Sequence, residues 1–260
     1  MTVRTLGIAL GLVLCGGSLY AADTKNIDRT LPLSASGVVE LDAHNGSIEV
    51  RTWDRQEVEI HVRIEAGGTS DEARRRMQAT TVDIEGSSNL VSIRWRQSDL
   101  WGWSLWSAFW GEWNTSPDVR YTITAPRTAR LRIRDHNARL AIRDVTAPLD
   151  VATHNGSVWV ANFDGPLDLS MHNGNAHVEF ASFTHASRVD SHNGSAELLL
   201  PVASRFQIHS IGHRMNVDSD FPVTMRASDF GRHHVDGQAN GGGPELRLTS
   251  HNGSFRIRSK

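Results

Sequence analysis

The chain has 260 residues, 27 basic and 29 acidic side chains, and a formal net charge of −2. Hydrophobic residues make up 39% and glycine contributes 22 positions, which excludes a disordered or collagenous chain. The near balance of charge excludes a nucleic-acid binder that works by bulk phosphate neutralisation, and the length is enough to bury a sizeable core.

The first 21 residues read as a secretory signal. Arg4 supplies the positive start, Leu6 to Leu14 is an uninterrupted run of apolar residues and glycine, and Ser18-Leu19-Tyr20-Ala21 is a small-residue cleavage site before Asp23. The run is too short for a spanning helix, which needs about 20 residues. Cys15 lies inside it, and Leu14 is too large for the position before a lipidated cysteine. Cleavage near Ala21 therefore predicts an exported, cysteine-free product, periplasmic or at the cell surface, folded without disulfides.

Residues 22–128 form a less regular, strand-rich part. Val39 to Val50 carries a first copy of a motif discussed below, and Val58, Ile60, Val62 and Ile64 alternate as a half-buried strand does. Thr69 to Thr80, with Ser70 and Asp71 at its start, predicts one short charged helix. Strands are expected at Thr81–Glu85, Leu90–Arg96 and Val119–Thr124. Between the last two lies a Trp-rich insert, 99–116, with Trp101, Trp103, Trp106, Phe109, Trp110 and Trp113. As a helix it gathers most of these rings on one face. Such a face can cap the end of a stacked core, touch a membrane interface peripherally, or meet a protein partner.

From 129 to 260 the chain repeats. Six His-Asn pairs begin at His44, His136, His154, His172, His192 and His251, where composition alone predicts less than one. Five continue as His-Asn-Gly: His44-Asn45-Gly46, His154-Asn155-Gly156, His172-Asn173-Gly174, His192-Asn193-Gly194 and His251-Asn252-Gly253. Starts from His136 are spaced 18, 18 and 20. The closing gap of 59 fits three more rungs, the first at Gly212 to Asn216 and the next near His233. A fixed period of about 19 residues marks a stacked repeat. Alternation on both sides of each pair, as in Leu149, Val151, Thr153 and then Val158, Val160, marks strands. Asn-Gly is also the strongest short hairpin signal, which would give an antiparallel meander. The regular period and a second punctuation midway, at Asp164-Gly165-Pro166, favour one coil of a β-solenoid per repeat. The expected class is all-β, a single-stranded parallel β-helix-like solenoid of about 19 residues per rung, with one short helix and the Trp-rich insert.

Two chemistries are open at the repeated corner. Asn side chains can stack as an amide ladder with the His rings outside. Alternatively His136, His154, His172 and His192 can share a metal ion, since imidazole ligates Zn²⁺ and Cu²⁺, although a straight row diverges where a tetrahedral site converges. Asp144, Asp150, Asp164, Asp168 and Arg143 are the residue types of a polysaccharide-cleaving β-helix, but they fall at different places in their rungs. No phosphate loop, nucleophile elbow or zinc helix is present in the sequence, so no catalytic residue and no cofactor is assigned.

The strand-rich start, the short helix, Ile123-Thr124-Ala125-Pro126 leading into Ala129 to Ile133, and the following Asn-Gly repeats resemble a bacterial family. It comprises the exported β-strand-repeat proteins catalogued as domain of unknown function 4097, often labelled "putative adhesin". The resemblance spans about residues 37–260. It implies a non-enzymatic envelope module that binds an envelope or surface protein or a polysaccharide, with no defined cofactor. The runner-up roles are a periplasmic metal- or ligand-binding protein using the His row, and a polysaccharide-active β-helix.

Overall fold

The computed structural model describes residues 24–97, 116–226 and 233–260. The expected export signal and the Trp-rich insert up to residue 115 lie outside the described residues. In chain order the elements are β1 (Thr24–Pro32), β2 (Val38–Trp53), β3 (Glu57–Glu65), α1 (Asp71–Ala79), β4 (Thr80–Gly86), β5 (Leu90–Gln97) and β6 (Asp118–Pro126). Then come β7 (Arg130–Arg143), β8 (Leu149–Phe163), β9 (Leu167–Phe180), β10 (Ser187–Leu200), β11 (Phe206–Ser219), β12 (Val223–Arg226), β13 (His233–Ala239) and β14 (Glu245–Ser259). The described chain is all-β with one helix.

The helix begins where the sequence predicts. Ser70 Oγ accepts the Ala73 N–H at 3.1 Å, Asp71 and Glu72 occupy the first turn, and Ala73 and Met77 are its buried face.

All the strands join one 14-stranded sheet, ordered β1-β3-β6-β2-β7-β8-β9-β10-β14-β11-β13-β12, with β5 also on β2 and β4 on β5. From β2 to β11 every neighbour along this path is parallel. Antiparallel pairs close both ends, β1 with β3 and β3 with β6 at one, β11 with β13 and β12 with β13 at the other. His-Asn-Gly therefore does not join antiparallel strands, and the meander is excluded. The pairing register instead continues on both sides of each motif, for example Thr153 with Met171 and Asn155 with Asn173.

Burial shows what happens at the motif. Leu149, Val151 and Thr153 are buried, then Val158 and Val160. Thr153 and Val158 are five positions apart, and a straight strand would turn them to opposite faces. Each long strand bends at His-Asn-Gly so that both arms face one core. Down that core runs a chain of packed rings, Phe163, Phe180, Phe183, Phe206 and Phe221, with successive centroids 5.2 to 5.9 Å apart.

One expectation about the last three rungs is corrected. The strand bearing His213, β11, does not follow β10 in the stack. The C-terminal β14 enters between them, with Asn193 opposite Asn252 and Arg214 opposite Asn252 on its other side. Nor does the segment at His233 make a further rung, because β13 runs antiparallel to β11. The 59-residue gap holds one rung and a hairpin. β14 offers a full-length parallel edge that matches β10 residue for residue, and the hairpin does not.

A second feature escapes sequence reading. β2 pairs with β7 on one side, while its other side is shared, β5 taking Val38–Asp42 and β6 taking Gly46–Trp53. The bend in β2 divides its edge into two short edges, and a different strand covers each.

Candidate functional site

The repeat gathers its polar residues into columns. At the bend, the residue before each His points inward; Asp135, Thr153, Ser191 and Ser250 are all buried. The His points out. Its ring faces are covered by the rings of the neighbouring rungs, and its edge meets solvent.

The stack is continuous. His44 lies 5.1 Å from His136, His136 4.8 Å from His154, His154 4.5 Å from His172, His172 4.7 Å from His192, and His192 5.0 Å from His251. In these five contacts the planes are within 5° of parallel. His213 extends the row beyond His251 at 5.6 Å, and Trp95 of β5 covers His44 at 4.7 Å. The spacing is that of neighbouring strands, so the strand ladder sets it and not the rings. Membership of His213 depends on the inserted β14, and that of Trp95 on the divided edge of β2. Neither follows from spacing in the sequence.

Beside the rings runs an amide column. Asn137 Nδ2 donates to Asn45 Oδ1 at 3.0 Å, Asn155 to Asn137 at 2.9 Å, Asn173 to Asn155 at 2.8 Å, Asn193 to Asn173 at 3.1 Å, and Asn252 to Asn193 at 3.1 Å. Each interior amide donates to one rung and accepts from the other, which lets the bend stack without a partner from outside. The glycines that follow are needed for close approach. A methyl group at Gly174 would meet the Gly156 carbonyl, and one at Gly194 the Gly174 carbonyl. Gly174 also has φ of 145° and Gly46 of 114°, a region that favours glycine.

A groove of about 940 Å³ follows the His row on the side of the incoming arms. Its wall is Asp42, Arg134, Ala152, Ser170 and Asp190, one from each successive rung, and the rings form its rim. A second groove of about 870 Å³ follows the amide column and Gly156, Ser157 and Gly174.

Electrostatics differ along the row. Burial lowers the pKa of His44, with His136 adding to the effect and Asp135 and Asp42 opposing it. Asp135 is buried, and that raises its pKa against hydrogen bonds from the Ala138 N–H at 2.7 Å and the Thr153 hydroxyl at 3.0 Å. Burial likewise pushes the Tyr121 phenol up, with Asp42 and Asp135 adding to it. Away from the row, a hydrogen bond to Asp28 at 2.7 Å raises His61.

The four metal candidates, His136, His154, His172 and His192, are neighbours in the row, with parallel rings that face one another. Among the described residues no group of three or more His, Cys, Asp or Glu side chains is arranged to hold one metal ion. The acidic residues named with Arg143 are dispersed. Asp144 accepts from Asn162 at 2.7 Å, Asp164 from Ser182 at 2.5 Å, Asp150 pairs with Arg134 at 3.1 Å, and Arg143 lies over the Trp159 ring at 4.5 Å. Trp101, Trp103, Trp106, Phe109, Trp110 and Trp113 lie outside the described residues. No helix among the described residues is long and apolar enough to cross a membrane.

No protein-family model and no curated protein matches the chain. Solved structures do. A "putative cell adhesion protein" from Clostridium sporogenes superposes with a TM-score of 0.53 at 9% identity, covering 91% of this chain and 100% of that one. A "putative adhesin" from Bacteroides fragilis gives 0.40 at 9% identity over 91% and 97% of the two chains. The first likeness shows the fold alone: this chain shares the architecture of that Clostridium protein.

Proposed function

We propose that the protein is an exported, non-enzymatic β-solenoid of the bacterial envelope that binds its target through the His row, in the manner of an adhesin. The short connections support the solenoid reading. Three residues join β8 to β9 and five join β7 to β8, reaching at most about 18 Å for five. A straight strand of 14 residues, as in β7, spans roughly 46 Å. Connections this short between parallel neighbours favour a coil.

The observation that carries the function is the unbroken row of seven imidazoles, six of which line one groove. Stability alone would be served by apolar corners, whereas a row of exposed ring edges repeats one hydrogen-bonding group along about 29 Å of surface. Export rests on the signal at residues 1–21, and the shared fold with a cell-adhesion-type protein supports the role. The Trp-rich insert would add a peripheral membrane or partner contact. Protease accessibility on intact against permeabilised cells tests the placement. Digestion in intact cells places the row outside; protection until permeabilisation removes the adhesive role.

A further inference from the structure

We infer that the imidazole row is a proton-gated site for a linear acidic polysaccharide that lies along the groove with its carboxylates against successive ring edges. This rests on the adhesin-like reading above and names the ligand class for it.

Pitch is the first argument. Successive ring centroids lie between 4.5 and 5.6 Å apart. A ligand that uses many rungs must repeat in step with them. An extended peptide advances about 3.3 Å per residue, and phosphates on one DNA strand about 3.4 Å, so both drift out of step within a few rungs. A 1,4-linked pyranose chain advances by close to one rung per ring, so its carboxylates stay aligned with each rung or every second one.

Charge is the second. Protonated, the row is a line of cations whose faces are already covered, so a ligand in the groove meets the ring edges. The charged groups that face it are few and only partly engaged, because Asp135 Oδ1 and Asp190 Oδ1 are buried without a hydrogen-bond partner. Arg134 on β7 pairs with Asp150 at 3.1 Å, and Asp190 on β10 with Arg188 at 2.6 Å. Asp135 serves Ala138 and Thr153, while Asp42 on β2 lies in register with Arg94 of β5. From β8, β9, β14 and β11 the lining is uncharged: Ala152, Thr153, Ser170, Met171, Thr249 and Ile211 among them. At His154 and His172, mid-row, the rings themselves therefore supply the positive charge. Hydrogen bonds to carboxylates favour the protonated ring, so binding should take up protons.

The test is calorimetry with polygalacturonate at pH 5.5 and 7.5, in two buffers of different ionisation enthalpy. The expected result is binding at pH 5.5 with proton uptake, weakened about tenfold or more at pH 7.5 and by added salt. Dextran should not bind, and polyglutamate should bind at least about tenfold more weakly than polygalacturonate. The joint variant His154→Gln, His172→Gln and His192→Gln should lose binding, and His172→Lys should retain it at pH 7.5. No binding at pH 5.5, equal binding at both pH values, or polyglutamate binding as well as polygalacturonate overturns the inference, and none of these needs a variant to fold. Adhesion to isolated envelopes without polygalacturonate binding defeats this ligand class alone. Polygalacturonate binding without any envelope adhesion defeats the adhesin-like reading instead.

Discussion

His136 lies over His154 with ring centroids 4.8 Å apart and planes 1° from parallel, at the distance the strands themselves impose. Rings at that spacing stack well when neutral and repel when both are charged. That ties stability to pH. His44 is the ring whose pKa is lowered, first by burial and then by His136. A lowered folded-state pKa means that the unfolded chain binds the proton more readily. Its contribution is therefore complete above the unfolded value near 6.5 and declines as pH falls below it through the folded value. Thermal unfolding should show a lower midpoint at pH 5.5 than at 7.5, and His44→Gln should narrow the difference. Equal midpoints for the native chain would contradict this.

The amide column should behave as one unit. Asn173 donates to Asn155 and accepts from Asn193, so Asn173→Ala removes two hydrogen bonds and leaves two amides half-paired. A cost of about 1–2 kcal/mol is expected, read by urea unfolding. Asn45→Ala, at the end of the column, breaks only the bond from Asn137 and should cost about half as much. Equal costs would mean that the column is not a chain of mutually supporting bonds.

Gly174 tests the close approach of neighbouring rungs. Its Cβ would collide with the Gly156 carbonyl, at a backbone angle that disfavours side chains. Gly174→Ala should cost at least about 3 kcal/mol. Ala138, the natural exception at the equivalent position, pairs with Gly46 and is buried. Ala138→Gly should cost only about 1 kcal/mol. Similar losses in the two variants would show that close packing of the bends is not what selects glycine.

Much of this was legible in the sequence. The period, the inward Thr153, the outward His154 and the alternating arms all follow from residues 136 to 200, where chain order and stacking order coincide. The reading failed where they part. Nothing local in Phe206–Ser219 or Glu245–Ser259 says that the later strand stacks first; both alternate, and the choice is made by which edge fits β10. Trp95 reads as one more strand aromatic until β5 is placed on half of β2. β1 escapes sequence reading because Thr24–Pro32 is polar and at most partly buried at the sheet edge, which leaves no clear alternation to detect.

Asp135 separates buried charge from hydrogen bonding at the bend. Its raised pKa, caused mainly by burial, means that the folded state prefers the protonated acid, so the carboxylate costs stability above its folded pKa and the cost vanishes below the unfolded value. Asp135→Asn keeps an acceptor for Ala138 and Thr153, and should equal or exceed the native stability at pH 7. That advantage should shrink as pH falls toward 4. Asp135→Ala strands both donors and should cost about 1–3 kcal/mol. An Asn variant as unstable as the Ala variant would contradict the account.

The central claim is that the row of imidazole edges is the binding face. Retention on isolated bacterial envelopes at pH 5.5 should be compared for the native chain and for the joint His154→Gln, His172→Gln and His192→Gln variant, with matched circular dichroism spectra. Loss of retention in the folded variant is the predicted result. Retention equal to the native chain would contradict the claim.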